Sequence, residues 1–153
     1  MQLVLDHIIA HEEKFDMSTF GNVDKVAGHI CCTAACICGT TNLIAKTDAV
    51  EKIYNTTSEY NGNDSYYTVL YNLLRDNKSA AEFLGLETKY AECLFFGGEE
   101  SVWHKYREEL HIEEYPDLDS IETKHAITML TNLISGEWNF EGILPSEEDE
   151  DEQ

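Results

Sequence analysis

Four cysteines and one histidine within ten residues are the side chains of this chain best suited to chemistry: His29, Cys31, Cys32, Cys36 and Cys38. Thiolate and imidazole groups are the usual ligands of a structural zinc ion. In a reducing compartment, clustered Cys and His point to zinc before disulfides. If the chain binds a metal, the candidate ligands are therefore His29, Cys31, Cys32 and Cys36.

The spacing of the thiols argues against a single metal centre. On one helix Cys32 and Cys36 share a face, whereas Cys36 and Cys38 point about 200° apart, so the four thiols cannot surround one ion. No second C-x-x-C and no H-x₃₋₅-H pattern follows downstream. We therefore interpret the cysteines as small, buried, reduced side chains and expect no metal or other cofactor. A structural zinc site and a redox pair are the alternatives.

The same segment is unsuited to a catalytic thiol. A nucleophilic cysteine needs an accessible sulfur with a lowered pKa, near a histidine and a positive charge. The residues around Cys31 to Cys38 are apolar, and the nearest cations in sequence are Lys25 and Lys46. The chain also contains no P-loop, G-x-G-x-x-G or G-x-S-x-G motif. We expect a protein that is not an enzyme and has no catalytic residue.

Two other groups of residues have the types and spacing for binding. His7 and His11 are four residues apart, which can hold a metal on a helix, although a solvated helix face is the more common outcome. Trp103, Tyr106 and Arg107 combine the residue types enriched at binding hot spots. These three are the candidate binding residues, with an ordinary surface helix as the alternative.

The elements that position these residues are predicted to be helical. Residues 30–46 are small and almost uncharged, which predicts a helix buried on most faces. Apolar periodicity and caps predict further helices over 2–13, 48–54, 65–74, 79–84, 88–96, 100–110 and from an Asp119 cap to Gly136. The expected fold is mostly α: one compact domain of short helices around the small-residue helix. A minor β-hairpin near 55–71 is an alternative for that segment.

The chain is strongly acidic along its whole length. It has 153 residues, 30 of them acidic and 10 basic, for a formal charge of −20, and removing the six acids at 147–152 still leaves −14. Residues 1–144 are expected to form the single domain, and 145–153 a disordered acidic tail. This charge argues against direct binding of nucleic acid or of anionic membranes, and favours a partner with a basic surface.

The compartment follows from two further features. No window is long and apolar enough to span a membrane, and the first seven residues reach Asp6 without a basic residue, unlike a signal peptide. We therefore expect a cytoplasmic protein whose cysteines stay reduced.

Several segments resemble the motifs of one protein family. Cys31 to Thr40 is similar to C-G-T-x-x-C-x-A-G-W, with Cys32 and Cys38 in place of Gly and Ala and Thr40 in place of Trp. Residues 15–20 resemble F-D-M-x-x-W, residues 80–86 an A-x-x-L-L-G-L segment and residues 91–95 an A-x-x-L-F segment. These motifs are typical of a family of small phage and prophage proteins without an assigned activity. The resemblance implies a compact, mostly helical domain and supplies no catalytic residue.

The acidity and the resemblance together suggest a function. Small acidic phage proteins occupy basic, nucleic-acid-binding grooves of host enzymes. The first hypothesis is a non-catalytic interaction protein of phage type, acting in the host cytoplasm. It would bind and modulate a host protein as an anti-defence or host-takeover inhibitor, mimicking the charge of DNA. The alternatives are a binding protein for a small ligand such as a nucleotide signal, and a structural zinc domain using Cys31 to Cys38.

Overall fold

A computed structural model describes residues 1–19, 22–26, 29–55, 64–112 and 118–143. The protein is mostly helical, as predicted. Its elements are α1 (Gln2–Ala10), a 3₁₀ turn (Glu12–Lys14), β1 (Asn22–Val26), β2 (His29–Ala34), α2 (Ile37–Ala45), α3 (Thr47–Asn55), α4 (Asp64–Leu74), α5 (Asn77–Leu84), α6 (Thr88–Phe95), α7 (Val102–Lys105), a second 3₁₀ turn (Leu118–Ser120) and α8 (Thr123–Ser135). None of the described helices has the length and apolar character to cross a membrane. The acidic tail predicted at 145–153 lies outside the described residues.

The buried small-residue helix is α2, and it is shorter than predicted. All residues of its first six positions, 37–42, are buried. Cys36 is the N-cap, and its Sγ accepts a hydrogen bond from the Gly39 N–H (3.5 Å). The prediction of helix over 30–46 is wrong for residues 30–36: residues 30–34 belong to β2, and α2 begins only at Ile37. An uncharged run of Ile, Cys, Thr and Ala suits a buried helix or a strand equally well, and pairing with β1 satisfies the backbone polar groups along one edge of β2.

The hairpin of this fold lies earlier in the chain than the predicted one. β1 and β2 are antiparallel, with Val26 paired to His29 and a register shift between Asn22 and Val23. The alternative of a hairpin near 55–71 is wrong for residues 64–71, which lie in α4. Tyrosine-rich sequence favours a strand only weakly, and leucines three and four residues apart give this segment one apolar helical face. Residues 56–63 lie outside the described ranges.

The main core is formed where the helices meet. Its largest fully buried side chains include Ile8 of α1, Ile37 of α2, Leu94 of α6, Trp103 of α7 and Leu130 of α8. Each such side chain contributes about 1.5–3 kcal/mol relative to its exposed state. A smaller cluster, Val50, Leu70 and Leu74, joins α3 to α4. Packing between these elements, more than intrinsic helix propensity, therefore stabilises helices this short.

A polar junction fixes α2 against the turn between α4 and α5. The fully buried Asn42 side chain donates two hydrogen bonds, to the carbonyls of Leu74 (2.9 Å) and Asp76 (3.1 Å). Asp76 caps α5 by accepting from the Ser79 N–H (3.1 Å), and its carboxylate pairs with the Lys46 ammonium at 2.8 Å. The hydrogen bond from Lys46, followed by that from Ser79, lowers the pKa of Asp76. The turn between α4 and α5 is thus held by side chains thirty or more residues away in sequence.

The N-cap of the last helix lies three residues later than predicted. Glu122, not Asp119, is the N-cap of α8, and a capping box joins it to His125: the Glu122 N–H donates to His125 Nδ1 at 3.0 Å. Residues 118–120 instead form a 3₁₀ turn, which leads into the buried Ile121. The predicted end is confirmed, because Gly136 closes the helix with the left-handed backbone (φ 77°) that glycine tolerates.

Candidate functional site

Trp103, one of the three predicted binding residues, is a core residue. It has no exposed surface, and its indole N–H donates to the Leu94 carbonyl at 2.9 Å. That carbonyl lies in the last turn of α6, where carbonyls have no partner within the helix. Trp103 therefore joins α7 to α6 through both packing and a buried hydrogen bond.

Tyr106 anchors the chain that follows α8. Its side chain is 9% exposed and stacks on Trp138, with ring centres 4.2 Å apart. Its hydroxyl group donates to the Asn139 carbonyl (3.0 Å) and accepts from the Asn139 N–H (2.9 Å). The Lys105 ammonium donates to the same Asn139 carbonyl at 3.0 Å. Tyr106 therefore acts here as a structural residue.

The predicted surface patch of Trp103, Tyr106 and Arg107 is consequently not formed as an exposed surface. Arg107, which is partly exposed, is the member of the three that reaches solvent appreciably. The spacing of apolar residues in this segment already indicated that Trp103 and Tyr106 are buried. Val102, Trp103, Tyr106 and Leu110 recur at the spacing of one helical face, and all four are buried.

The described cysteines are buried and protonated. Cys36 and Cys38 are 2% and 0% exposed, which confirms the buried-thiol interpretation for these two residues. Burial, the largest cause, raises the pKa of Cys36 to about 11 and raises that of Cys38 still further, with the charges of Cys36 and Asp76 adding to the shift at Cys38. Burial also raises the pKa of Cys93. A protonated, buried thiol is a poor nucleophile.

The structure describes the side chain of only one of the four predicted zinc ligands. Cys36 lies at the start of α2, whereas the side chains of His29, Cys31 and Cys32 lie outside the described part of the structure. Within that described part, no three His, Cys, Asp or Glu side chains are grouped closely enough to hold a metal ion.

A cleft between the end of α1 and α2 holds the other predicted pair, His7 and His11. It has a volume of about 20 Å³ and is lined by His7, Ile8, His11, Lys14, Phe15, Ala35, Thr40 and Leu43. His7 lies in the last turn of α1, and His11 is the residue at which that helix ends. The two ring centres are 4.6 Å apart and the rings are tilted by 54°. Both rings are partly buried rather than part of a fully solvated face.

The electrostatics of this cleft differ from those of the molecule as a whole. Three of its lining residues, His7, His11 and Lys14, are basic, and none is acidic. Burial, followed by the nearby charges of His11 and Lys14, lowers the pKa of His7. Thr40 is 5% exposed, and its hydroxyl group has no hydrogen-bond partner in the described structure. The cleft therefore combines an unused hydroxyl group with three basic side chains.

The acidic side chains form the exterior. No Asp or Glu is buried among the residues whose burial the structure describes. In this same set, three carboxylates form ion pairs: Asp76 with Lys46, Glu87 with Lys89 and Glu122 with Lys124. Four exposed glutamates flank α7 and its following turns: Glu99, Glu100, Glu108 and Glu109. We call these four residues the α7 acidic group.

No known protein family, curated protein or solved structure matches this chain. The similarity of residues 15–95 to phage-type motifs therefore stays a prediction.

Proposed function

We propose that this protein is a non-catalytic interaction protein of phage type, whose acidic exterior binds a basic surface of a host protein and thereby modulates it. One observation carries the proposal. In the described part of the chain, carboxylates face solvent and only Asp76, Glu87 and Glu122 are neutralised by an ion pair. The described carboxylates therefore contribute their negative charge at the surface.

A surface of this kind acts first on association rates and partner choice. Complementary charge steers diffusional encounter and penalises partners of the same sign. A basic groove that binds nucleic acid is adapted to a dense row of negative charges, about one per 1.7 Å of duplex axis. An acidic protein seated on such a groove would exclude the nucleic acid and so inhibit the host protein.

The α7 acidic group lies on a segment that is anchored to the core. The segment that carries it is anchored by the buried Trp103 and by the paired hydrogen bonds between Tyr106 and Asn139. A preorganised segment loses little conformational entropy when a partner binds the charged side chains that it carries. We therefore choose this group for the test.

The experiment begins with affinity capture from host lysate, followed by kinetics with the purified partner. The test variant replaces all four glutamates of the α7 acidic group by glutamine. Its matched control is Lys78→Gln, a substitution at another exposed charged residue that makes the protein more acidic. We expect association to slow about tenfold in the test variant and to be unchanged or faster in the control.

Salt provides a second arm of the same experiment. Raising the salt from about 0.1 M to about 1 M shortens the screening length from about 10 Å to about 3 Å. We expect a steep loss of association rate for the unmodified protein. A rate that is insensitive both to salt and to the four substitutions would contradict the proposal.

A further inference from the structure

We propose that the cleft between α1 and α2 is a binding site for one phosphate-class oxyanion, held by His7, His11, Lys14 and Thr40. The cleft is defined by the residues that line it, and its volume is about 20 Å³. One ordered water needs about 10–15 Å³. The enclosed space is therefore larger than one water, and an oxyanion bound there would extend from the mouth of the cleft into solvent. This inference is independent of the acidic exterior and of the partner proposed above.

The first argument is the sign of the charges. Acidic residues outnumber basic ones by 30 to 10 in this chain, yet the cleft is lined by three basic residues and no acidic one. Side chains that repel one another when protonated are kept together here. The attraction of each protonated group to a bound anion would offset this repulsion, and each group could donate a charge-assisted hydrogen bond to the anion.

The second argument is the unused hydroxyl group. Thr40 is 5% exposed, and its N–H already donates to the Cys36 carbonyl at 2.8 Å. Its hydroxyl group has no partner within the described residues, and its oxygen is not among their fully buried unpaired side-chain atoms. The neighbouring Thr41 shows the usual solution, since its hydroxyl group donates to the Ile37 carbonyl at 2.7 Å. The Thr40 hydroxyl group is therefore available to a ligand in the cleft.

The third argument is geometric. The rings of His7 and His11 both line the cleft, and their centres lie 4.6 Å apart with a tilt of 54°. An oxyanion with several acceptor oxygens can accept hydrogen bonds from both rings and from the Lys14 ammonium at once.

The same arrangement favours an anion over a metal ion. Two imidazoles alone leave a metal ion short of the usual ligand set, and no group of three ligands exists in the described structure. Lys14 also lines the cleft and repels a cation. Each of these features favours an oxyanion.

The test is a titration of the intact protein with inorganic phosphate at constant ionic strength, with chloride as the balancing ion. The side-chain NMR signals of His7 and His11 report on the site directly. We expect both signals to shift and saturate as phosphate is added. We also expect the pKa of His7, measured in saturating phosphate, to rise because the bound anion favours the imidazolium.

Variants separate binding from folding. Lys14→Gln and Thr40→Val each remove one group from the site, and we expect each to weaken phosphate binding about tenfold. Lys78→Gln, which removes an exposed cation outside the cleft, is the control and should bind as the unmodified protein does. Should Thr40→Val fail to fold, Lys14→Gln, whose side chain is partly exposed, still tests the site. Thermal stability gives a second readout, because phosphate that binds the native state raises the unfolding midpoint.

Three results would overturn the inference. The first is the absence of any shift at His7 or His11 up to about 20 mM phosphate, which places the dissociation constant well above about 1 mM. The second is an equal response in Lys14→Gln and the unmodified protein. The third is a response to zinc with none to phosphate. A parallel titration with AMP identifies the source: tighter binding than inorganic phosphate points to a phosphate ester, and equal or weaker binding to the free ion.

Discussion

At the scale of single residues, the same side chains that form binding hot spots also form cores, and burial decides between the two. Trp103 and Tyr106 are among the residue types enriched in interfaces. In this protein the first is fully buried and the second 9% exposed, and each has its polar group hydrogen-bonded to backbone. Their contribution is to fix α7 and the segment after α8, on which exposed residues are displayed.

Trp103→Phe tests this structural role. The substitution leaves the Leu94 carbonyl without its donor and opens a small cavity, so we expect the free energy of unfolding to fall by about 2–4 kcal/mol. Urea unfolding followed by circular dichroism measures the change. Trp138→Phe is the matched control, because Trp138 is only partly buried, and should cost less than half as much. Equal losses in the two variants would contradict the role assigned to Trp103.

At the scale of elements, the sequence predicts helices well where an apolar stripe and a stop signal occur together. The segment of α8 combines a periodic apolar face with Gly136, and the C-terminal end of the helix is as predicted. The C-terminal ends of α5 and α6 also agree with the prediction to within one residue. The segment over β2 has no charges to reveal a periodicity, so its sequence cannot distinguish a buried helix from a strand. Its strand conformation is decided by pairing with β1.

The start of α8 carries a pH dependence of its own. Neutral His125 accepts the hydrogen bond of the capping box through Nδ1. Burial and then the charge of Lys124 lower the pKa of His125 below its usual value. The unfolded chain therefore binds a proton more readily, and this contribution to stability is complete above about pH 6.5 and is lost as the pH falls through the lowered pKa.

His125→Gln isolates that contribution. Glutamine at the third position of a helix can also accept the bond of a capping box, but it does not titrate. Between pH 7.5 and pH 5.5 we expect the free energy of unfolding to fall by about 1 kcal/mol more in the unmodified protein than in the variant. Urea unfolding at a series of pH values measures the difference, to which His7 contributes equally in both proteins. Parallel pH profiles would rule out this role for His125.

At the scale of the whole molecule, the fold class could be predicted from apolar periodicity and the acidic character from composition, whereas the cleft could not. His7 and His11 are adjacent on α1 in any helical interpretation, but Thr40 reaches them only because α2 packs against α1. Sequence spacing carries no information on such a contact between distant segments. Similarly, the isolation of most carboxylates from cations depends on where the few lysines and arginines lie in three dimensions.

The net charge predicts how the molecule responds to salt. Self-repulsion at −20 destabilises the compact state, and added salt screens it. We expect the unfolding midpoint at pH 7.5 to rise by several degrees between about 0.02 M and about 0.5 M sodium chloride, since 1 kcal/mol corresponds to about 2–8 °C for domains of ordinary size. Calorimetry with a matched concentration of a neutral osmolyte provides the control. A midpoint that falls with salt would show that attractive ion pairs dominate instead.

The Asn42 side chain restricts α2 to one longitudinal position. Its two donated hydrogen bonds end on the carbonyls of Leu74 and Asp76, on a different part of the chain. If α2 slid by one turn, about 5.4 Å, the amide would lose both acceptors inside a dry interior. An apolar side chain at this position would tolerate neighbouring alignments. The asparagine satisfies its hydrogen bonds in only one alignment, so it fixes the axial position of an otherwise mostly apolar helix.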